Sequence, residues 1–192
     1  MKRCGVILSG GKSSRMGKNK SLLELNGQTV IEHVMDTMEE CSDTLVIITN
    51  EPSRYTHLSI PLQRDRFHYQ GPLAGIESGM YYHEADVYFI AACDMPFVHK
   101  DVYDQLFNQL GRYEAVVPVY DGQIHPLSGI YKRSVLPVIQ QLLNDDQRKV
   151  KKLLDAVQVH YVHDFSGIPQ ELVEKHFFNM NHPEQFEHAK TF

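Results

Sequence analysis

The chain has 192 residues, a formal net charge of −5, 42% hydrophobic and 22% charged residues, a length sufficient to bury one sizeable core. The acidic balance excludes a general nucleic-acid binder, which wants a basic face, and no apolar run approaches the roughly eighteen residues that a membrane span needs. Val6 to Leu8 is too short for a signal peptide, so a cytoplasmic chain is expected, and the scattered cysteines Cys4, Cys41 and Cys93 suggest neither a disulfide framework nor a zinc site.

In chain order, CGVILS (4–9) predicts the first strand, and the stripe Val30, Ile31, Val34, Met35 and Met38 predicts a helix over 29–41. TLVIIT (44–49) is a second strand, followed by a long, partly irregular connection over 51–70. A helix over 72–82 opens on Pro72, where the missing N–H costs nothing. DVYFIAAC (86–93) and EAVVPVY (114–120) are strands, with a helix between them over 100–110 and another over 133–143. RKVKK leads into a helix at LLDAV, QVHYVHD (158–164) is a strand, and HPEQFEHAK (182–190) is a closing helix. Continuous apolar runs alternating with helices predict an α/β fold with a mostly parallel sheet buried on both faces.

GVILSGGKSSRMG (5–17) poses the first functional question. A Walker A loop needs its lysine directly after the second glycine, and here Gly11 intervenes before Lys12, so the spacing fails. What remains is a strand ending at Ser9, the pair Gly10 and Gly11, and the cations Lys12, Arg15, Lys18 and Lys20. This is either a turn with a solvated charged face or a ligand loop, and delivery by a strand's carboxyl end favours the ligand. Asp94 in ACDMP is the first ionised group after a buried strand. It could cap the next turn ahead of Pro96, or give Mg²⁺ one of the few carboxylates that this ion takes from protein.

Gly71, Gly75 and Gly79 recur every four residues along one helix face, where close packing on the sheet is one explanation. Arg148, Lys149, Lys151 and Lys152 form a basic cluster suited either to solvent or to a phosphorylated second substrate. Asn181 or His182 could cap the last helix ahead of Pro183. His125 sits in a turn, and His160 and His163 are expected to face opposite sides of one strand, so they cannot share an ion.

LSGGKSSRMGKNKSLLELNG (8–27) resembles the L-A-G-G-x-S-x-R-M-G…K signature of nucleotidyltransferases, and more narrowly that of the molybdenum cofactor guanylyltransferases. GPLAG (71–75), CDMP (93–96), HPL (125–127) and the N-x-N-x-P-E pattern (179–184) follow in the family's order. The resemblance implies a three-layer α/β/α Rossmann-like nucleotidyltransferase fold in one domain, with a nucleotide half over about 1–95 and an acceptor half over about 96–192. It implies transfer of GMP from GTP to molybdopterin or the molybdenum cofactor, with Mg²⁺ held by Asp94. By the same resemblance Leu8, Ser9, Gly10, Gly11, Lys20, Asp65, Gly71, Gly75 and Asp94 bind nucleotide, and Arg15, Lys20 and Asp94 are catalytic. Arg148, Asn179 and Asn181 then meet the pterin, and an oxygen-labile acceptor implies direct hand-over from a delivery protein. Ser9 departs from the family's alanine. The rivals are a cytidylyl- or sugar-phosphate nucleotidyltransferase of this fold and, from another class, a GTP-binding carrier or switch.

Overall fold

The computed structural model describes residues 1–10, 20–67 and 71–192. Strand β1 (Arg3–Leu8) enters the centre of the sheet. After a 3₁₀ turn at Lys20–Leu22, a small hairpin, β2 (Glu24–Leu25) with β3 (Gln28–Thr29), leads into helix α1 (Val30–Cys41). Helix α1 begins where Glu32 accepts from the Thr29 N–H at 2.7 Å and from its hydroxyl at 2.5 Å, satisfying donors that a helix start leaves orphaned.

Next come β4 (Thr44–Ile48), β5 (Leu62–Gln63), α2 (Pro72–Tyr82), β6 (Val87–Ala92) and α3 (Lys100–Asn108). The remainder is β7 (Ala115–Tyr120), β8 (Gln123–Ile124), β9 (Ile130–Lys132), α4 (Leu136–Asn144), α5 (Val150–Ala156), β10 (Val159–Val162), α6 (Gln170–His176) and α7 (Pro183–Ala189).

The main sheet runs β10-β7-β9-β6-β1-β4-β5, with β8 paired to β7. Strands β1, β4, β5 and β6 are mutually parallel, as are β7 and β10, while β9 runs antiparallel to both β6 and β7. The sheet is thus mixed but mostly parallel. The two-residue periodicity of a strand divides its side chains between two cores. Ile7, Val87, Phe89 and Ala91 join α1, α3 and α6 on one face, and Val6, Leu8, Tyr88 and Ile90 join α2, α4 and α5 on the other. This gives the expected three layers.

The structure adjusts several expectations. The helix expected over 133–143 opens as a 3₁₀ turn at Arg133–Val135 before α4, and the connection after β4 contains the short strand β5. Strand β9 and helix α6 have no counterpart among the expected elements. Strand β10 ends at Val162, so His163 lies beyond it.

Of the three periodic glycines, Gly79 faces the tightest contact. A Cβ there would stand 2.6 Å from Val6 Cγ1 and 2.9 Å from Cγ2, neither of which can swing away in a packed strand. Gly79→Ala is therefore expected to cost about 1–3 kcal/mol by overpacking, read as a lower urea midpoint at unchanged m-value. An unchanged midpoint would show that α2 shifts off β1 without cost.

Candidate active site

Registration of the parallel strands builds one end of the site. Leu8 pairs with Ile48 of β4 on one side and with Ala92 of β6 on the other, so Ser9, Thr49 and Cys93 emerge together at the sheet's carboxyl edge. Backbone bonds extend the register past the strands, from Ser9 N–H to Ile48 O (2.9 Å) and from Cys93 N–H to Leu8 O (3.1 Å). The chain leaves β1 for β4 and later returns on β1's other flank as β6, which makes this edge a topological switch point, the usual ligand crevice of open α/β sheets.

Asp94 sits in that crevice, partly buried in a turn in which the Met95 N–H bonds Ala92 O at 3.2 Å. Burial raises its carboxyl above the ordinary range, and the charge of Lys20 opposes that rise. The carboxyl-terminal segment folds back onto this carboxylate. The Asn179 amide donates to Asp94 Oδ1 at 3.0 Å and to its backbone O at 3.3 Å, and the Met180 N–H donates to the same backbone O at 2.8 Å. Lys20 Nζ donates to Asn181 Oδ1 at 3.1 Å. Lys20, Asp94, Asn179 and Asn181 therefore form one polar group drawn from the beginning, middle and end of the chain. Burial pushes the neighbouring Cys93 thiol up to about 11, helped by Asp94, so at neutral pH it is not a thiolate nucleophile.

The donor set fits a hard divalent cation. Among the described residues no cluster of three or more His, Cys, Asp or Glu side chains forms a metal cage, and Mg²⁺ usually takes one or two carboxylates and leaves its other positions to water and phosphate. A desolvated carboxylate flanked by an amide and a lysine matches that demand. Gly11 and Arg15, also expected in the site, lie outside the described residues.

The second wall comes from β5 and α2. Asp65 is buried, and Asn50 Nδ2 donates to its Oδ2 at 2.9 Å. A Cβ on Gly75 would lie 2.8 Å from Leu8 Cδ2 and 3.6 Å from Asp65 Oδ1, so Leu8, Asp65 and Gly75 converge, and any side chain there would have to displace the end of Leu8. Gly71 caps the start of α2 with φ +77°, left-handed backbone that favours glycine. Its Cβ would stand 3.9 Å from Arg148 O, which brings the Arg148 backbone to the same edge. The Arg148 guanidinium turns to Asp146, at 2.6 and 2.9 Å, and both side chains are exposed. Lys149, Lys151 and Lys152 are exposed as well. His125 starts the 3₁₀ turn Pro126–Ser128, donates its N–H to Pro118 O at 2.9 Å and packs its ring on Phe177.

Comparison with known proteins decides the family. Residues 5–162 match the MobA-like NTP transferase domain. The chain belongs to that family. A probable molybdenum cofactor guanylyltransferase of Carboxydothermus hydrogenoformans is 36% identical, covering 95% of this chain and 92% of its own. One from Bacillus anthracis is 37% identical, with 98% and 96% covered. Among solved structures, molybdopterin-guanine dinucleotide biosynthesis protein A of Archaeoglobus fulgidus superposes with a TM-score of 0.84 at 23% identity over 98% of this chain and 97% of that one. A CMP:2-keto-3-deoxy-manno-octonic acid synthetase with CTP reaches 0.76 at 15% identity, covering 100% and 98%. At such identities the two structures establish the shared nucleotidyltransferase fold.

Sequence reasoning missed three residues that support the candidate site. Asn50 orients Asp65. Gln185 Oε1 accepts from the N–H groups of Asn181 (2.6 Å) and His182 (2.9 Å), which caps α7 and holds Asn181 toward Lys20. Tyr55 bonds Ser9 and Ser21, each at 2.7 Å. The signal for Gln185 was present, since glutamine three residues after the cap at His182 is a capping-box pattern.

Proposed function

We propose that this chain transfers GMP from GTP to the terminal phosphate of molybdopterin or its molybdenum-loaded form, releasing pyrophosphate and forming the guanine dinucleotide cofactor. The observation that carries the reading is the union of Lys20, Asp94, Asn179 and Asn181 at the switch point, directly beside the end of β1. The names of relatives at 36% and 37% identity over nearly the whole chain supply the nucleotide and the acceptor.

The chemistry follows from charge. A terminal phosphate is already anionic near neutral pH, so the attacking oxygen needs no activated serine and no general base. The remaining tasks are alignment of the acceptor with the α-phosphate and neutralisation of the charge gathering on pyrophosphate. Lys20 places its ammonium at the site, and Asn181 limits where it can point. Asp94 would hold Mg²⁺, which when bound supplies Lewis-acid neutralisation of phosphate oxygens. Asn179 bonds Oδ1, so Oδ2 is the carboxylate oxygen that would be left to hold the cation. Asp65 and the α2 start form the wall assigned to the guanine nucleoside, and the acceptor is assigned to the two asparagines and to Arg148, whose exposed guanidinium would leave Asp146 to reach it.

Among the described residues no helix is long and apolar enough to cross a membrane. The GTP substrate argues for work in the cytoplasm, with the labile pterin passed by contact from a delivery protein.

The test is turnover with each nucleoside triphosphate, Mg²⁺ and molybdopterin, followed by pyrophosphate release and recovery of the dinucleotide. GTP should exceed CTP and ATP by at least about tenfold, the discrimination that roughly one well-placed hydrogen bond supplies. Preference for CTP would overturn the guanylyl assignment, and release of inorganic phosphate would overturn the transferase reading.

A further inference from the structure

Tyr55 lies in the connection after β4, between Asn50 and Asp65 and far in sequence from Lys20, Asp94, Asn179 and Asn181. Its backbone is pinned on both sides, from Tyr55 N–H to Pro52 O at 3.0 Å and from Leu58 N–H to Tyr55 O at 2.9 Å. Its ring belongs to the core shared with Ile7, Ile31 and Ile47. The phenolic oxygen, however, points to the base of the glycine-rich stretch. It stands 2.7 Å from Ser9 Oγ and 2.7 Å from Ser21 Oγ, and the two serine oxygens are 3.5 Å apart. Ser9, Tyr55 and Ser21 are 8%, 1% and 0% exposed, so water does not compete for these hydroxyls.

Ser9 is the last described residue but one before the stretch, and Ser21 directly follows Lys20. One phenol from a third segment therefore ties the two ends of residues 10–20 together. Backbone bonds anchor the same ends to the fold, through Ser9 N–H to Ile48 O (2.9 Å) and Val30 N–H to Leu23 O (2.9 Å).

Holding a ligand-contacting side chain in place before association lowers the ordering cost that binding otherwise carries. Because Lys20 adjoins Ser21, the bond from Tyr55 also fixes where the Lys20 side chain starts on its way to Asn181, 3.1 Å from Nζ. On the reading given above, we infer that Tyr55 is a positioning residue for the nucleotide, a buried hydroxyl clamp with Ser9 and Ser21 that holds the loop ends and Lys20 in place before GTP arrives. Ser9 stands where the signature usually has alanine, so the Ser9 arm is an addition in this chain and the Tyr55–Ser21 arm is the main tie.

Tyr55→Phe tests this because it keeps the core ring and removes one oxygen. Ser9→Ala is the milder companion, since it leaves the Tyr55–Ser21 bond intact. Three measurements on the purified full chain separate positioning from simple stability: KM for GTP against KM for the pterin, the thermal midpoint, and the rate of limited tryptic cleavage after Lys12, Arg15 and Lys18 without nucleotide. Tyr55→Phe should raise KM for GTP about tenfold, the worth of one buried hydrogen bond. Ser9→Ala should raise it about two- to threefold by the same reasoning, and cleavage should speed up in the same order with KM for the pterin unchanged. A Tyr55→Phe protein with a lowered midpoint but wild-type KM and wild-type cleavage would overturn the clamp. If the wild-type chain makes no pyrophosphate from GTP, the functional reading fails, and the order of cleavage rates still decides the clamp.

Discussion

Replacing Asp94 with asparagine should cut GMP transfer at saturating GTP and Mg²⁺ about a hundredfold to a thousandfold, the range typical of losing one preorganised electrostatic contact. Its thermal midpoint should stay near that of wild type. The substitution keeps an oxygen for the Asn179 amide and leaves the backbone carbonyl that accepts from Asn179 and Met180. It removes a carboxylate that burial already penalises, as its upward pKa shows. Losing the charge therefore spares the fold a desolvation cost and deprives only Lys20 and the cation of a partner. Lys20→Ala should lose turnover on a similar scale, and the double variant should be little worse than either single one, because groups acting as a unit are not additive. Wild-type turnover in Asp94→Asn would remove the site from position 94.

The pattern of legible and hidden features has a physical logic. Strands β1, β4, β6 and β7 announced themselves because burial on both faces demands unbroken apolar runs. Helix α1 showed itself through its apolar stripe and α2 through Pro72, whereas the Thr29–Glu32 box that starts α1 was read only from the structure. Strand β9 stayed hidden because its three residues carry no period and exist only through β6 and β7 beside them. Helix α6 is seven residues long and is held by the burial of Val173, His176 and Phe177, a contact made far from its own sequence. The site divides the same way. Asp94 and Lys20 were readable as charges placed at strand ends and beside a glycine pair. Tyr55 was not, since its partners lie 46 and 34 residues away and nothing local marks a tyrosine as a clamp. The helix-cap reading of His182 and the role drawn for Asn181 from the family resemblance meet in one element, because the cap that starts α7 also aims Asn181 at Lys20.

The second large effect concerns acid stability and comes from a residue outside the reaction. His176 is fully buried at the end of α6, with Nδ1 accepting the His99 N–H at 2.8 Å. The ring proton therefore sits on Nε2 and is donated to Ser128 Oγ at 2.6 Å. The rings of Tyr103 and Phe177 pack around it, and burial, with His99 and His125 nearby, pushes its pKa down to about 3. The unfolded chain binds this proton near pH 6.5, and the folded chain does not until near pH 3. The contribution is thus complete above pH 6.5 and is lost as the medium acidifies toward 3, at about 1.4 kcal/mol per pH unit. By pH 5 the loss is about 2 kcal/mol, a sizeable part of the roughly 5–15 kcal/mol that holds a typical domain.

Urea unfolding between pH 7.5 and 5 keeps Asp43, Asp164 and Glu171, whose pKa values are lowered, out of the comparison, because they stay ionised there. His83 and His125 are shifted down by burial as well and add slopes of the same sign, so the comparison must be with a variant. His176→Gln should be less stable at pH 7.5, where it disturbs a packed and bonded ring, yet its stability should fall less steeply with acid, by about 1.4 kcal/mol per unit. Parallel slopes for the two proteins would mean that His176 takes up its proton without unfolding the chain.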